Sequence, residues 1–276
     1  MLKRIIKGLP TLTTTALLLS PSLSWSALPQ ATVDDYVWEL VPPDYHESTY
    51  DNDCEYNDDA TTYQLCQERV HEQQDNMLSQ QWGLGERVMR VKDTLYIKVP
   101  NRSRALTFRD SNNNYSEDSD YSFTLKAYDK ARQLLILEKS LWETTDSISV
   151  DLKTGIEQEF EGTDLTFSPQ GKYAATVETY PTAESVMLWQ RQADGHYQLI
   201  DIADKFRRRF DNHLAFYNNG GGEGIVRKVT LEWLNETSLL VDFYFKINFE
   251  DSAAYRVRFN FVKPNSEADW QIIAVR

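Results

Sequence analysis

The chain has 276 residues, 41% of them hydrophobic and 12% aromatic, and a formal net charge of −13. That composition supports a folded core, and the charge disfavours nucleic acid and anionic membrane surfaces as partners. One basic island, Lys205-Phe206-Arg207-Arg208-Arg209-Phe210, is too short to reverse the sign and reads as the charged face of a short helix or turn within 203–210.

Residues 1–26 read as a secretory signal peptide. Lys3, Arg4 and Lys7 give a basic start, an apolar run spans Leu9 to Leu19, and Ser24-Trp25-Ser26 supplies small residues for a peptidase. The run is too short and too rich in threonine for a membrane span, and no later stretch approaches 18 apolar residues. The segment lacks a terminal cysteine for a lipid anchor. Cleavage before Ala27 removes three cations, so the mature charge is −16 and the expected location is the periplasm.

Residues 27–87 read as an arm and a helix. From 28 to 60 the chain is polar, acidic and rich in turn residues (Pro42-Pro43-Asp44, Asp51-Asn52-Asp53, Asn57-Asp58-Asp59), which predicts an extended or irregular arm. The spacing of Tyr63, Cys66, Val70, Met77 and Leu78 predicts a helix over Thr61 to Gln81, capped by Thr61 or Thr62. Cys54 and Cys66 are the two cysteines; their even count and close spacing in an exported chain predict a disulfide that pins the arm to the helix. A loop of that size contributes about 3 kcal/mol in the chain-entropy picture. A metal pair is the competing reading, but His46 and His71 complete no ligand set. A redox pair would sit closer, as in C-x-x-C.

Residues 88–276 change to a period of two. Leu95, Ile97 and Val99 alternate with Thr94, Tyr96 and Lys98, and Phe123, Leu125 and Ala127 with Thr124, Lys126 and Tyr128. Leu239, Val241, Phe243, Phe245 and Ile247 form the clearest run, followed by Tyr255, Val257, Phe259 and Phe261 across the link Glu250-Asp251-Ser252. Successive strand side chains point to opposite faces, so each run buries one face, and the last two make a hairpin. About a dozen such strands predict a mainly β, antiparallel meander, with a two-sheet β-sandwich as the alternative.

Two stretches carry resemblances. Phe167-Ser168-Pro169-Gln170-Gly171-Lys172-Tyr173-Ala174-Ala175 resembles the strand-turn-strand signature of β-propeller blades of the Tol-associated and WD-like kinds, and Glu232 to Leu240 reads as a degenerate second copy. The resemblance spans residues 120 to 276 and implies a propeller-like domain with Pro169 and Gly171 in the tight turn. The Trp-Asp dipeptide of the WD type is absent, and residues 88–276 hold barely the four blades of about 40 residues that a ring needs, so an open, incomplete stack or a two-sheet sandwich stands as the alternative to a closed ring. Around Asp53-Cys54, Ala60-Thr61-Thr62, Cys66, Asp75 and Leu78 the chain resembles the two-cysteine helical module of lysozyme-inhibitor-like proteins, without the asparagine and tyrosine that follow there.

No chemical motif is complete. His71-Glu72-Gln73-Gln74-Asp75 puts an aspartate where a zinc-protease helix needs its second histidine, and reads as a solvated helix face. Asp110-Ser111-Asn112-Asn113-Asn114 begins like a calcium loop, but Tyr115 and Tyr121 stand where glycine and glutamate belong; a polar hairpin loop is the simpler reading, weak calcium binding the other. Asn219-Gly220-Gly221-Gly222-Glu223-Gly224 precedes a strand pattern and not a helix, so it reads as a surface loop rather than a phosphate cradle. No G-x-S-x-G elbow occurs, and His46, His196 and His213 sit in polar, turn-like settings.

The expected function is therefore an exported binding protein without catalytic activity or cofactor, contacting a basic protein through loops 110–121 and 217–225; an inhibitor or immunity protein is its narrower form. The alternative is a periplasmic hydrolase using dispersed carboxylates.

Overall fold

The computed structural model describes residues 39–41, 60–111, 120–141, 144–180, 183–200, 202, 225–246 and 254–274. The signal peptide, most of the arm, Cys54, the basic island and the glycine-rich segment lie outside the described residues, as do the interiors of both loops proposed for contact.

A short strand, β1 (Glu39–Val41), precedes the helix α1 (Ala60–Gln81). Four antiparallel sheets follow in chain order. The first holds β2 (Val88–Val91), β3 (Thr94–Ile97) and β4 (Leu106–Arg109). The second holds β5 (Tyr121–Asp129), β6 (Leu134–Leu141), β7 (Thr145–Asp151) and β8 (Glu157–Phe160). The third holds β9 (Thr163–Phe167), β10 (Tyr173–Tyr180), β11 (Ala183–Arg191) and β12 (Tyr197–Ile200). The fourth holds β13 (Ile225–Asn235), β14 (Ser238–Lys246), β15 (Ala254–Val262) and β16 (Gln271–Ala274). The expected mainly β meander is the observed one. One piece of the arm is extended: β1 pairs with β15 beside β16, Leu40 opposite Tyr255.

Three apolar layers join the sheets. Leu95, Ile97 and Phe108 of the first meet Leu125, Leu137 and Val150 of the second. Ile136 and Phe160, on the second sheet's other face, meet Phe167, Ala174, Met187 and Trp189 of the third. Tyr173, Ala175, Val177 and Leu188, on the third sheet's other face, meet Val241, Phe243, Phe259 and Trp270 of the fourth. The middle sheets thus bury both faces, which is why Tyr173-Ala174-Ala175 and Val186-Met187-Leu188-Trp189 read as unbroken apolar runs, whereas the outer sheets alternate. Among the described residues no apolar cluster joins the fourth sheet to the first.

One backbone bond recurs in every sheet. The amide at the exit of the third strand donates to a carbonyl in or just after the first hairpin turn: Asp110 to Asp93 (2.8 Å), Leu152 to Gln133, Arg191 to Lys172 and Lys263 to Thr237 (each 2.9 Å). The accepting carbonyls are 40, 39 and 65 residues apart. The four sheets share this bond, and the last interval is lengthened between β12 and β13.

Three expectations need correction. Phe123, Leu125 and Ala127 do not share a face. A register shift between Leu125 and Ala127 sends Leu125 to the first layer and Ala127 to the second. In α1, Met77 is exposed while Asp75 and Ser79 are buried, because the helix turns polar groups onto the open edge of β2. Ser79 Oγ donates to the Val88 carbonyl (2.6 Å), and the Asn76 amide exchanges bonds with Arg90 N (2.9 Å) and Arg90 O (3.0 Å). The helix also begins at Ala60, so Thr61 and Thr62 lie in its first turn and do not cap it.

Phe243 is fully buried, and its neighbour Tyr244 is only half-buried. Phe243→Ala should cost about 3–5 kcal/mol in urea unfolding, and Tyr244→Ala clearly less. Equal costs would contradict this assignment of faces.

Candidate functional site

The first candidate is the root of loop 110–121. Arg90 follows Val88 at an inward position of β2 and has no exposed surface. Its Nε donates to Asp75 Oδ2 of α1 (2.6 Å), its Nη1 to Asp110 Oδ2 (2.9 Å), and its Nη2 to the Phe123 carbonyl. The remaining carboxylate oxygens accept from β5: Leu125 N to Asp75 Oδ1 and Phe123 N to Asp110 Oδ1, both at 2.8 Å. One cation and two anions thereby satisfy polar backbone groups along the edge of β5, as a neighbouring strand would. Burial lifts the Asp75 carboxyl above its ordinary value, with the Arg90 guanidinium and the Leu125 amide acting against it.

This hub decides two motifs. Asp75 is not on a solvated face, as expected from His71-Glu72-Gln73-Gln74-Asp75; it is a buried ion-pair partner. His71 is partly exposed, with Nδ1 4.0 Å from Asp110 Oδ2. The calcium reading of the Asp110 loop fails at its first ligand, because the Asp110 carboxylate is spent on Arg90 and Phe123, and withdrawing it would strand a buried charge. The loop is instead closed at its base by reciprocal bonds between Ser111 and Tyr121, at 2.9 and 3.0 Å.

The second candidate is the end of the stack where the first hairpin turns lie side by side. Arg132 of the second sheet, paired with Asp129, donates to the Ser168 and Pro169 carbonyls of the third. From the other side Glu236, in the β13–β14 turn, accepts from Ser168 Oγ (2.7 Å), Gln170 N (2.7 Å) and Lys172 N (2.9 Å). Tyr197 Oη donates to the Gly171 carbonyl (2.6 Å). Gly171 has φ +69°, and a Cβ there would lie 3.4 Å from Arg132 Nε and 3.5 Å from Tyr197 Oη, so glycine suits both the turn and the close approach. The turn recognised in the sequence is thus clamped by both neighbouring sheets, and its degenerate copy supplies one clamp.

Of the two cysteines expected to pair, Cys66 sits half-buried in α1, and Cys54 lies outside the described residues. So do His46 and His213, whereas His196 is exposed on the approach to β12. Sequence reasoning missed Arg90, Arg132 and Glu236. Arg90 left a signal, since a charge at an inward strand position requires a buried counter-charge. Glu236 left none beyond its place in the second turn.

No protein-family model matches the chain, and no curated protein matches it.

Removing one member of the buried hub should be far worse than trimming a surface pair. Arg90→Leu leaves two buried carboxylates facing each other and should cost about 3–5 kcal/mol. The double variant Asp75→Leu/Arg90→Leu should cost less than the sum of the two single changes in a double-mutant cycle. Strict additivity would show that the pair is not coupled.

Tyr197 gives a second, pH-dependent expectation. Burial pushes its phenol from 10.0 up to about 12, against the opposing charges of Arg191 and Arg132. The folded state then holds this proton to higher pH than the unfolded state. Its contribution to stability is full below the unfolded value and is lost as pH rises through the folded one. In an alkaline absorbance titration, Tyr197→Phe should delete the highest-pH tyrosinate step; deletion of a step near the ordinary value would refute the burial argument.

Proposed function

We propose that this chain is exported to the periplasm through its first 26 residues and works there as a non-catalytic binding protein for a basic protein partner. The observation that carries the reading is charge: 42 acidic against 29 basic residues, and −16 once the leader with Lys3, Arg4 and Lys7 is removed. Opposite charge steers encounter and selects partners more than it adds affinity. The loop closed by Ser111 and Tyr121 is one presentation point, since loops on a rigid β scaffold commonly carry recognition. An inhibitor or immunity protein against a secreted basic enzyme is the narrower form.

The repeated exit-amide bond and the roughly 40-residue interval support a propeller-like arrangement of the four sheets, left open between the fourth and the first. The Cys54–Cys66 disulfide belongs to the same proposal and follows from export.

Co-purification from a periplasmic extract, followed by kinetics on the recovered partner, tests the reading. The association rate should fall as salt rises to about 0.5 M, where the screening length is only several Å, while dissociation changes less. The same material, kept free of reductant, should show no free thiol by mass spectrometry. Recovery of no partner, together with a salt-insensitive hydrolytic activity abolished by one carboxylate substitution, would replace this reading with the hydrolase.

A further inference from the structure

Between the second and third sheets, at the end where their turns lie, is a cleft of about 340 Å³. Its charged lining runs against the sign of the whole molecule: Arg132 and Lys153 come from the second sheet and Arg191 from the third, with Asp151 the single carboxylate. The state of each group decides what remains for a ligand. Arg132 is committed to Asp129 and to the Ser168 and Pro169 carbonyls, so it forms a fixed wall. Asp151 Oδ1 accepts from the amides of Lys153 (2.7 Å) and Thr154 (3.2 Å), which turns that oxygen onto its own loop. Lys153 is exposed and forms no ion pair among the described residues. Arg191, also exposed, makes one long contact, Nε to the Gly195 carbonyl at 3.4 Å, and its Nη groups have no carboxylate within ion-pair reach among the described residues.

We propose that this cleft binds a small oxyanion, a phosphate or carboxylate group, between the Arg191 guanidinium and the Lys153 ammonium. The planar guanidinium fork suits either group through paired N–H donors, and the ammonium adds a point charge. Gly171 and Gly195 border the same cleft, but their amides are held by the Ser168 and Gln192 carbonyls (2.8 and 3.0 Å), so they neighbour a bound anion and report on it without ligating it. Tyr197 presents its hydroxyl to Gly171, and its ring packs against Phe160 and Phe167, so the floor is fixed before anything binds. The volume suits a small solute. A lipid headgroup in an anionic bilayer offers the same chemistry, but the protein's negative charge opposes approach to such a surface.

The test uses the full mature chain, labelled with nitrogen-15, titrated separately with sodium phosphate and sodium citrate against sodium chloride at matched ionic strength. Saturable shifts of the Gly171 and Gly195 amides are expected with phosphate or citrate and not with chloride. Arg191→Gln/Lys153→Gln should weaken that binding at least about tenfold, with an unchanged melting temperature, because each loss removes a charge-assisted contact. Arg191→Lys, which keeps the charge and loses the fork, should fall between the two and guards against a folding defect in the double variant. Sedimentation with phosphatidylglycerol vesicles separates the sources. Vesicle binding without a response to phosphate or citrate overturns the proposal, as does a shift that never saturates or one that survives in the double variant.

Discussion

A guanidinium with no exposed surface has to be matched, and Arg90 is matched by groups from three other places in the chain. Asp75 comes from α1, Asp110 from the exit of β4, and the carbonyl of Phe123 from β5, while Arg90 itself stands on β2. The same two carboxylates accept the amides of Phe123 and Leu125, so the charges are satisfied by backbone as much as by one another. A buried ion pair adds little stability over an apolar replacement of the same shape, but removing one partner alone is costly. The hub therefore acts mainly as a constraint on arrangement: the helix, the first sheet and the second sheet must come together in one geometry or leave a bare charge. The first apolar layer then fills the space that this geometry defines.

Beyond the hub, the stack continues sheet by sheet. Each sheet is a meander whose third strand returns to its own first turn through one amide-to-carbonyl bond, and each is too thin to bury a core alone. Burial comes from neighbours, so the second and third sheets are apolar on both faces and the outer two are not. The edges are managed locally. β2 is covered by Asn76 and Ser79 from the helix, and β8 is a four-residue strand whose exposed Glu157 and Glu159 discourage pairing with another chain.

How much of this was legible in the sequence follows from the range of each interaction. Alternation along Leu239, Val241 and Phe243 is a local signal and gives the strand and its inward face directly. The turn at Ser168 to Lys172 is equally local, because Pro169 and Gly171 encode it in the backbone. The bulge at Lys126 is not local: nothing in Phe123-Thr124-Leu125-Lys126-Ala127 says that the face changes, since the change is set by pairing with β6. The helix was visible from the spacing of its apolar residues, but its inward face was not. Asp75, Asn76 and Ser79 look like solvated residues until β2 supplies their partners, 15, 14 and 9 residues further on. For the same reason the second turn copy, Glu232 to Leu240, gives no sign that its Glu236 binds a turn more than 60 residues earlier.

The clamped turns bear on recognition through the cost of ordering. A loop that must be immobilised on binding loses side-chain and backbone freedom, and that loss subtracts from affinity. Here Arg132 and Glu236 hold the central turn from both sides, and Tyr197 fixes Gly171 from below. A ligand or protein that docks on this end meets backbone already in place, so even modest contacts register as binding. The apparent mismatch between an acidic protein and a cationic cleft resolves on the same terms. Net charge acts at long range and is screened within about 8 Å at physiological salt. The exposed ammonium and guanidinium act at contact, where the local arrangement outweighs the sum.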